Sequence, residues 1–383
     1  MNPSKKRIAL VANTAWSLYN FRLGLIKALK DNGYEVLLIA PRDRFAARLV
    51  AEGFSFFHFP MENYGTNPLI EASMVPRLYR IYRELKPDFI FHYTIKLNIY
   101  GSLAAKLLGI PSVAVTTGLG HFLSYKNPVV RWITRWMYRL AVWCSKEIWF
   151  LNEEDRDIFI NRRIAPRIKT YLLPSEGIDT QYFLLNGFQQ PQDEIIRFLF
   201  AGRLLKDKGV VDFVDAARIL KKKYEHLEFQ ILGFIDPNNP NSITYAELEA
   251  WQQQGLVKYL GEAEDVRPYL GACDCLVFPS IYREGISRIL LEAASMSRPI
   301  ITTDHVGCRD VVQHGVNGWL CESKDVEDLA EKMQSFMETD SERLQKMGRA
   351  SRDTILKQFD EKKVVAHYLK CLERYVGRGQ LKY

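Results

Sequence analysis

Short apolar segments alternate with amphipathic helical stretches along this chain, and the alternation runs twice. The first run has strand-like segments at Arg7–Ala12, Glu35–Ala40, Asp88–His92, Ser112–Thr116 and Glu147–Leu151. Helical spacing between them covers Phe21–Asn32, Val75–Leu85, Tyr100–Leu108 and Pro128–Ser145. The polar, breaker-rich stretch Asn186–Glu194 reads as a linker. Strands then resume at Arg197–Ala201, Glu228–Leu232, Val257–Leu260, Cys275–Phe278 and Pro299–Thr302, and Ser341–Tyr375 is an amphipathic helical tail. Apolar strands separated by helices imply parallel, doubly wound sheets covered on both faces. A chain of 383 residues suits more than one core. The expectation is an α/β protein of two Rossmann-like domains facing a cleft, with the first domain spanning residues 1–190 and the second starting at 191.

Charge divides the halves. Residues 1–190 carry 25 Lys/Arg against 15 Asp/Glu, and residues 191–383 carry 27 against 30. A basic first half points to a polyanionic partner, either nucleic acid or an anionic membrane surface. The basic residues alternate with strands and form no known nucleic-acid motif, so nucleic acid is not expected. The scattered cysteines fit no four-ligand metal site and read as reduced thiols of a cytosolic protein. Met-Asn-Pro-Ser-Lys-Lys-Arg leads directly into a strand, so no signal peptide is expected. No apolar run is long enough to cross a bilayer.

Two glutamates carry the functional reading. Glu284 follows the strand Cys275–Phe278, and Glu292 lies about two turns along the helix after Gly285. In an open α/β sheet, ligands bind at that end of the strands, and a helix start there suits a phosphate. One carboxylate at the mouth and one further along match the hydroxyls at the two ends of a sugar nucleotide. The alternative is a pair of solvated helix charges. The segment Ala201–Gly209 also joins a strand to a helix. Gly202 permits close backbone approach, and Arg203 and Lys208 offer positive charge to a diphosphate. The alternative there is a basic turn at a helix start, where acids are usually preferred.

Taken together, Gly202–Gly209, Glu284–Ala293, Arg298–Asp304, Gly307–Asp310 and Gly315–Leu320 resemble the second domain of the family 4 retaining glycosyltransferases. The resemblance covers most of residues 200–330. It implies the GT-B fold, with a C-terminal helix of about residues 358–383 crossing back to the first domain and the second domain ending near 357. It also implies that Arg203 and Lys208 bind a diphosphate, that Glu292 holds ribose hydroxyls and that Glu284 contacts the donor sugar. Gly285, Ile286 and Ser287 would offer backbone amides. Asn13–Arg22, Tyr93–Gly101 and Thr116–His121 resemble bacterial enzymes that extend polyprenyl-diphosphate-linked sugars, including N-acetylgalactosaminyltransferases.

One departure matters. Many members place a histidine where Thr117 stands here, and His121 is the nearest substitute. Asn13–Arg22 reads as a loop after the first strand, with Trp16, Tyr19, Asn20 and Arg22 as candidate acceptor contacts. Lys96 and Asn98 lie in the next such loop. No Asp-x-Asp signature marks a metal-bound nucleotide in the first domain, and the resemblance implies a metal-independent enzyme without a cofactor.

Arg131, Arg135 and Arg139 line one face of the Pro128–Ser145 helix, beside Trp132, Trp136, Leu140 and Trp143. Trp with Arg on such a helix suits a bilayer interface. Alternatively, the tryptophans pack on the sheet and the arginines are merely solvated. The resulting expectation is a membrane-associated transferase moving a hexose or N-acetylhexosamine from a UDP-sugar to a lipid-diphosphate-linked glycan, at the inner face of the cytoplasmic membrane. A soluble acceptor, or epimerase chemistry on the same fold, is the alternative.

Overall fold

The computed structural model describes residues 5–62, 68–119, 128–188 and 193–377. The chain divides into two compact units, Met1–Gly177 with Glu361–Tyr383, and Ile178–Asp360.

The first unit holds β1 (Arg7–Val11), β2 (Glu35–Ala40), β3 (Ser55–His58), β4 (Phe89–Tyr93), β5 (Ser112–Thr116), β6 (Glu147–Phe150) and β7 (Thr170–Leu172). They form one parallel sheet in the order β3-β2-β1-β4-β5-β6-β7. β1, β4 and β5 are buried almost throughout, as expected where helices cover both faces. The order reverses between β1 and β4, which makes the space beyond their carboxyl ends the switch point of the sheet.

The second unit holds β8 (Ile196–Ala201), β9 (Leu227–Leu232), β10 (Lys258–Tyr259), β11 (Cys275–Phe278), β12 (Ile300–Thr303) and β13 (Trp319–Cys321). Its parallel sheet runs β10-β9-β8-β11-β12-β13, with the switch point between β8 and β11. A core including Phe198, Phe200, Phe213, Phe229 and Phe278 fills the space between sheet and helices.

The boundaries differ from the sequence expectation. The second unit starts at Ile178, before the polar linker, because Ile178 and Phe183 are buried in the second core. Ile178 also donates its amide to the Phe359 carbonyl at 3.0 Å. The helical tail is shared between the units. Ser341–Thr354 belongs to the second, and helix Glu361–Val376 belongs to the first. Tyr368 on that last helix is buried edge-on against Phe91 and Trp149, with ring centroids 4.8 and 4.9 Å away. The first helix is longer than the spacing predicted. It spans Ala15–Asp31 because Thr14 caps it, accepting the Ser17 amide at 3.1 Å. Asn13–Arg22 is therefore mostly helix, not loop.

Candidate functional site

The two loops flanking the second switch point bring the predicted residues together. After β8 the chain turns through Gly202 and a short 3₁₀ turn, Lys206–Lys208, and Gly209 then starts helix Val210–Leu220. Gly209 has φ +82°, and a Cβ there would stand 2.2 Å from the Pro279 carbonyl oxygen. Only glycine lets this turn sit against the loop after β11. Across that contact, the buried Lys208 ammonium donates to Glu284 Oε1 at 2.6 Å. The same ammonium lies over the Phe278 and Tyr282 rings, at 5.4 and 4.9 Å from their centroids. Sequence reading missed these aromatics, although Phe278 and Tyr282 both lie within six residues of Glu284. Arg203 is half-buried in the same loop, and its side chain has no ion-pair or hydrogen-bond partner among the described residues.

Glu284 is held from its other side by Gly307. This residue has φ +83°, and a Cβ there would be 2.8 Å from the Glu284 carbonyl oxygen. Asp310 anchors that turn by accepting the Gly307 amide at 2.7 Å. Helix Arg288–Ser295 follows, with Ser287 as its N-cap. The Ser287 amide donates to the Gly307 carbonyl at 3.1 Å. Of the three amides expected to face a phosphate, that of Ser287 is therefore engaged within the fold. Gly285 is buried and Ile286 half-buried in the turn leading to that helix.

Glu292 lies one helical turn beyond Arg288, whose Nε donates to Glu292 Oε1 at 3.0 Å. Burial raises the Glu292 carboxyl above its ordinary pKa, and the Arg288 charge partly opposes that rise. Close by, the Cys308 thiol is buried and pushed up to about 11. It is a packing group, not a nucleophile.

In the first unit the predicted residues occupy different settings. Arg22 is 4% exposed and ion-pairs with Glu176. It also donates to the Ser17 carbonyl at 3.0 Å and lies 3.9 Å over the Tyr93 ring. Arg22, expected from the sequence as an acceptor contact, thus has its charge balanced by Glu176 inside the fold. Glu176 is 154 residues away, and no local pattern points to it. Asn20 bonds back to the Trp16 carbonyl at 3.0 Å within the same helix. Lys96 is paired with Glu71 at 2.7 Å and donates to the Glu62 carbonyl at 2.7 Å. Thr117 is half-buried just past β5. His121 lies outside the described residues.

Residues 196–339 match the family model described as glycosyl transferases group 1, and residues 7–150 match that of glycosyl transferase 4-like. The chain is 30% identical, over 97% of its length and 99% of the other's, to the N,N'-diacetylbacillosaminyl-diphospho-undecaprenol alpha-1,3-N-acetylgalactosaminyltransferase of Campylobacter jejuni. The chain belongs to the family 4 glycosyltransferases. This glycosyltransferase is also 26% identical, over 74% of each chain, to the UDP-Gal:alpha-D-GlcNAc-diphosphoundecaprenol alpha-1,3-galactosyltransferase of Escherichia coli. It is 32% identical to the N-acetyl-alpha-D-glucosaminyl L-malate synthase of Bacillus anthracis, over 89% of this chain and 90% of that one. Among solved structures, a glycosyltransferase from Rickettsia africae matches with TM-score 0.79 at 16% identity, over 98% and 99% of the two chains. Anabaena HepE in complex with UDP-glucose matches with TM-score 0.75 at 19% identity, over 97% and 100%. At those identities the likeness is one of fold, and the glycosyltransferase has the GT-B fold.

Proposed function

We propose that this glycosyltransferase moves a hexose or N-acetylhexosamine from a UDP-sugar to a hydroxyl of a polyprenyl-diphosphate-linked glycan. It acts with retention and without a metal ion, in the assembly of capsule, O-antigen or a similar surface polysaccharide. The observation that carries this reading is the Lys208–Glu284 pair spanning the switch point, with Arg203 beside it in the same loop. A diphosphate binds between the Arg203 guanidinium and the Lys208 ammonium. Both stabilise the negative charge that grows as the sugar leaves. Glu292 takes the ribose hydroxyls, and Glu284 orients the donor sugar.

The C1–oxygen bond to the diphosphate breaks, and the acceptor oxygen bonds to C1 on the same face. The acceptor's proton passes to the departing diphosphate oxygen, giving UDP. Both polyprenyl-linked relatives carry alpha in their names. Common UDP-hexoses are themselves α-linked, so an α product corresponds to retention. A lipid-linked acceptor keeps the enzyme at the inner face of the cytoplasmic membrane as a peripheral protein. The malate-using relative favours a second reading, the same chemistry on a soluble acceptor.

The test is release of the nucleoside diphosphate, UDP or GDP, from a panel of UDP- and GDP-sugars, with either a short-chain polyprenyl-diphosphate glycan or L-malate as acceptor. Release from one UDP-sugar with the lipid acceptor, lost in Glu284→Ala, supports the proposal. Release with malate alone supports the second reading. Release from a GDP-sugar alone contradicts the donor class.

A further inference from the structure

Helix Pro128–Cys144 is apolar on two opposite sides. Tyr138, Ala141 and Val142 are buried in the first unit. Trp132 is 61% exposed, Trp136 50% and Trp143 63%, with Ile133 and Leu140 also exposed. At helical spacing these five fall within an arc of roughly 100°, pointing away from the core. A Trp stripe packed on the sheet is therefore excluded. Exposed apolar stripes of this kind mark interaction surfaces.

The charge around the stripe selects the partner. The helix contains three arginines and no acidic residue. Arg139 lies 4.7 Å over the Trp136 ring, and Lys106 lies 5.2 Å over that of Trp143. Leu107, next to Lys106, is 61% exposed and extends the apolar surface. Arg135 and Arg139 also donate to the Arg162 and Arg163 carbonyls, which fixes the Arg139 guanidinium beside the Trp136 indole. Indole rings with cations at the same level fit the boundary where acyl chains meet anionic headgroups. A second copy of the chain would bring like charges together, which opposes self-pairing.

The geometry points to the outward face of helix Pro128–Cys144, with Lys106 and Leu107, as the surface on which this enzyme docks to an anionic bilayer. The inference rests on the lipid-linked acceptor proposed above and names the lipid charge and the side chains that reach it. Indoles enter the headgroup region, and the flanking cations pair with lipid phosphates. No described helix is long and apolar enough to cross the membrane, so binding is reversible and sensitive to salt.

The experiment is co-sedimentation of the full chain with phosphatidylcholine vesicles, with and without phosphatidylglycerol. The proteins are the natural one, a Trp132→Ser/Trp136→Ser/Trp143→Ser variant, and Lys106→Glu, whose ammonium lies over the Trp143 ring. UDP affinity and the thermal midpoint of each preparation are measured alongside. These side chains are solvent-facing, so the variants keep their fold and bind UDP as the natural chain does. The expected result is binding that requires phosphatidylglycerol. It weakens on the order of tenfold or more in the triple variant and about fivefold in Lys106→Glu. Absence of binding to anionic vesicles, or equal binding by the triple variant, overturns the inference. So does a dimer in sedimentation velocity that the triple variant abolishes. UDP binding without vesicle binding sinks this inference alone. Vesicle binding without UDP binding sinks only the nucleotide-sugar reading.

Discussion

Lys208 and Glu284 are 76 residues apart in sequence and 2.6 Å apart in space, on loops from the two strands that flank the second switch point. The carboxylate neutralises the ammonium, so a diphosphate bound as proposed would compete with Glu284 for the lysine. The two residues should therefore respond differently to substitution. Glu284→Gln frees Lys208 and leaves UDP affinity unchanged or tighter, while transfer falls on the order of 10²-fold or more. Lys208→Met lowers both. Titration calorimetry with UDP beside steady-state UDP release separates the two effects.

Glu292 sets stability against binding. Burial raises its carboxyl pKa above the unfolded value, so the folded state holds the proton more tightly. Stability is then fully present below the unfolded pKa and falls as pH rises towards the folded one. Replacing the carboxylate by an amide removes that loss. Glu292→Gln should raise the thermal midpoint by about 2 °C at pH 8, with a smaller change below the ordinary carboxyl pKa, where both states are mostly protonated. The same variant should lose the preference for UDP over 2′-deoxy-UDP. Differential scanning fluorimetry and nucleotide titration check the two halves.

Arg22 is predicted to support the fold of the first unit, and its substitution should leave the nucleotide site alone. Arg22→Met strands Glu176 and should cost about 3 kcal/mol. Adding Glu176→Leu should restore most of that stability. Chemical denaturation of the two variants measures the loss and the recovery, and UDP affinity should stay at the natural value in both.

Gly209 and Gly255 form a matched pair for the tight turn. Both have positive φ, +82° and +66°, but a Cβ at Gly255 meets open space while one at Gly209 meets Pro279. Gly255→Ala should cost about 1 kcal/mol from backbone strain alone. Gly209→Ala should cost on the order of twice that or more and weaken UDP binding by displacing Lys208.

All six cysteines are buried and unpaired in disulfides. Burial raises every thiol pKa, to about 12 for Cys273 and Cys321. At pH 8 none should react quickly with a thiol-specific disulfide reagent until the chain is unfolded, when all six should titrate.

Sequence legibility followed the range of the interactions. Strand Glu35–Ala40 begins and ends where its apolar run does, because local pattern decides a buried strand. The helix at Ala15 starts six residues before its apolar spacing becomes clear, since a single Thr14 cap sets its beginning. Glu284 and Lys208 were legible as site candidates because each stands next to a glycine at a strand-to-helix junction. Glu176 as the partner of Arg22 was not, nor was the Ser287 amide's bond to Gly307, because both are tertiary contacts. The Trp stripe of helix Pro128–Cys144 was legible as a stripe only. Which side of a helix faces out depends on what packs on the other, and here Tyr138 and Val142 take the inside.

Calorimetric titration of UDP onto the natural chain, Lys208→Met and Glu292→Gln tests the nucleotide-sugar site most directly, since it requires neither the donor sugar nor the acceptor. The account predicts that UDP binds the natural chain and that each variant weakens it on the order of tenfold or more. Binding of equal strength in all three proteins would contradict the placement of the diphosphate at Lys208 and of the ribose at Glu292.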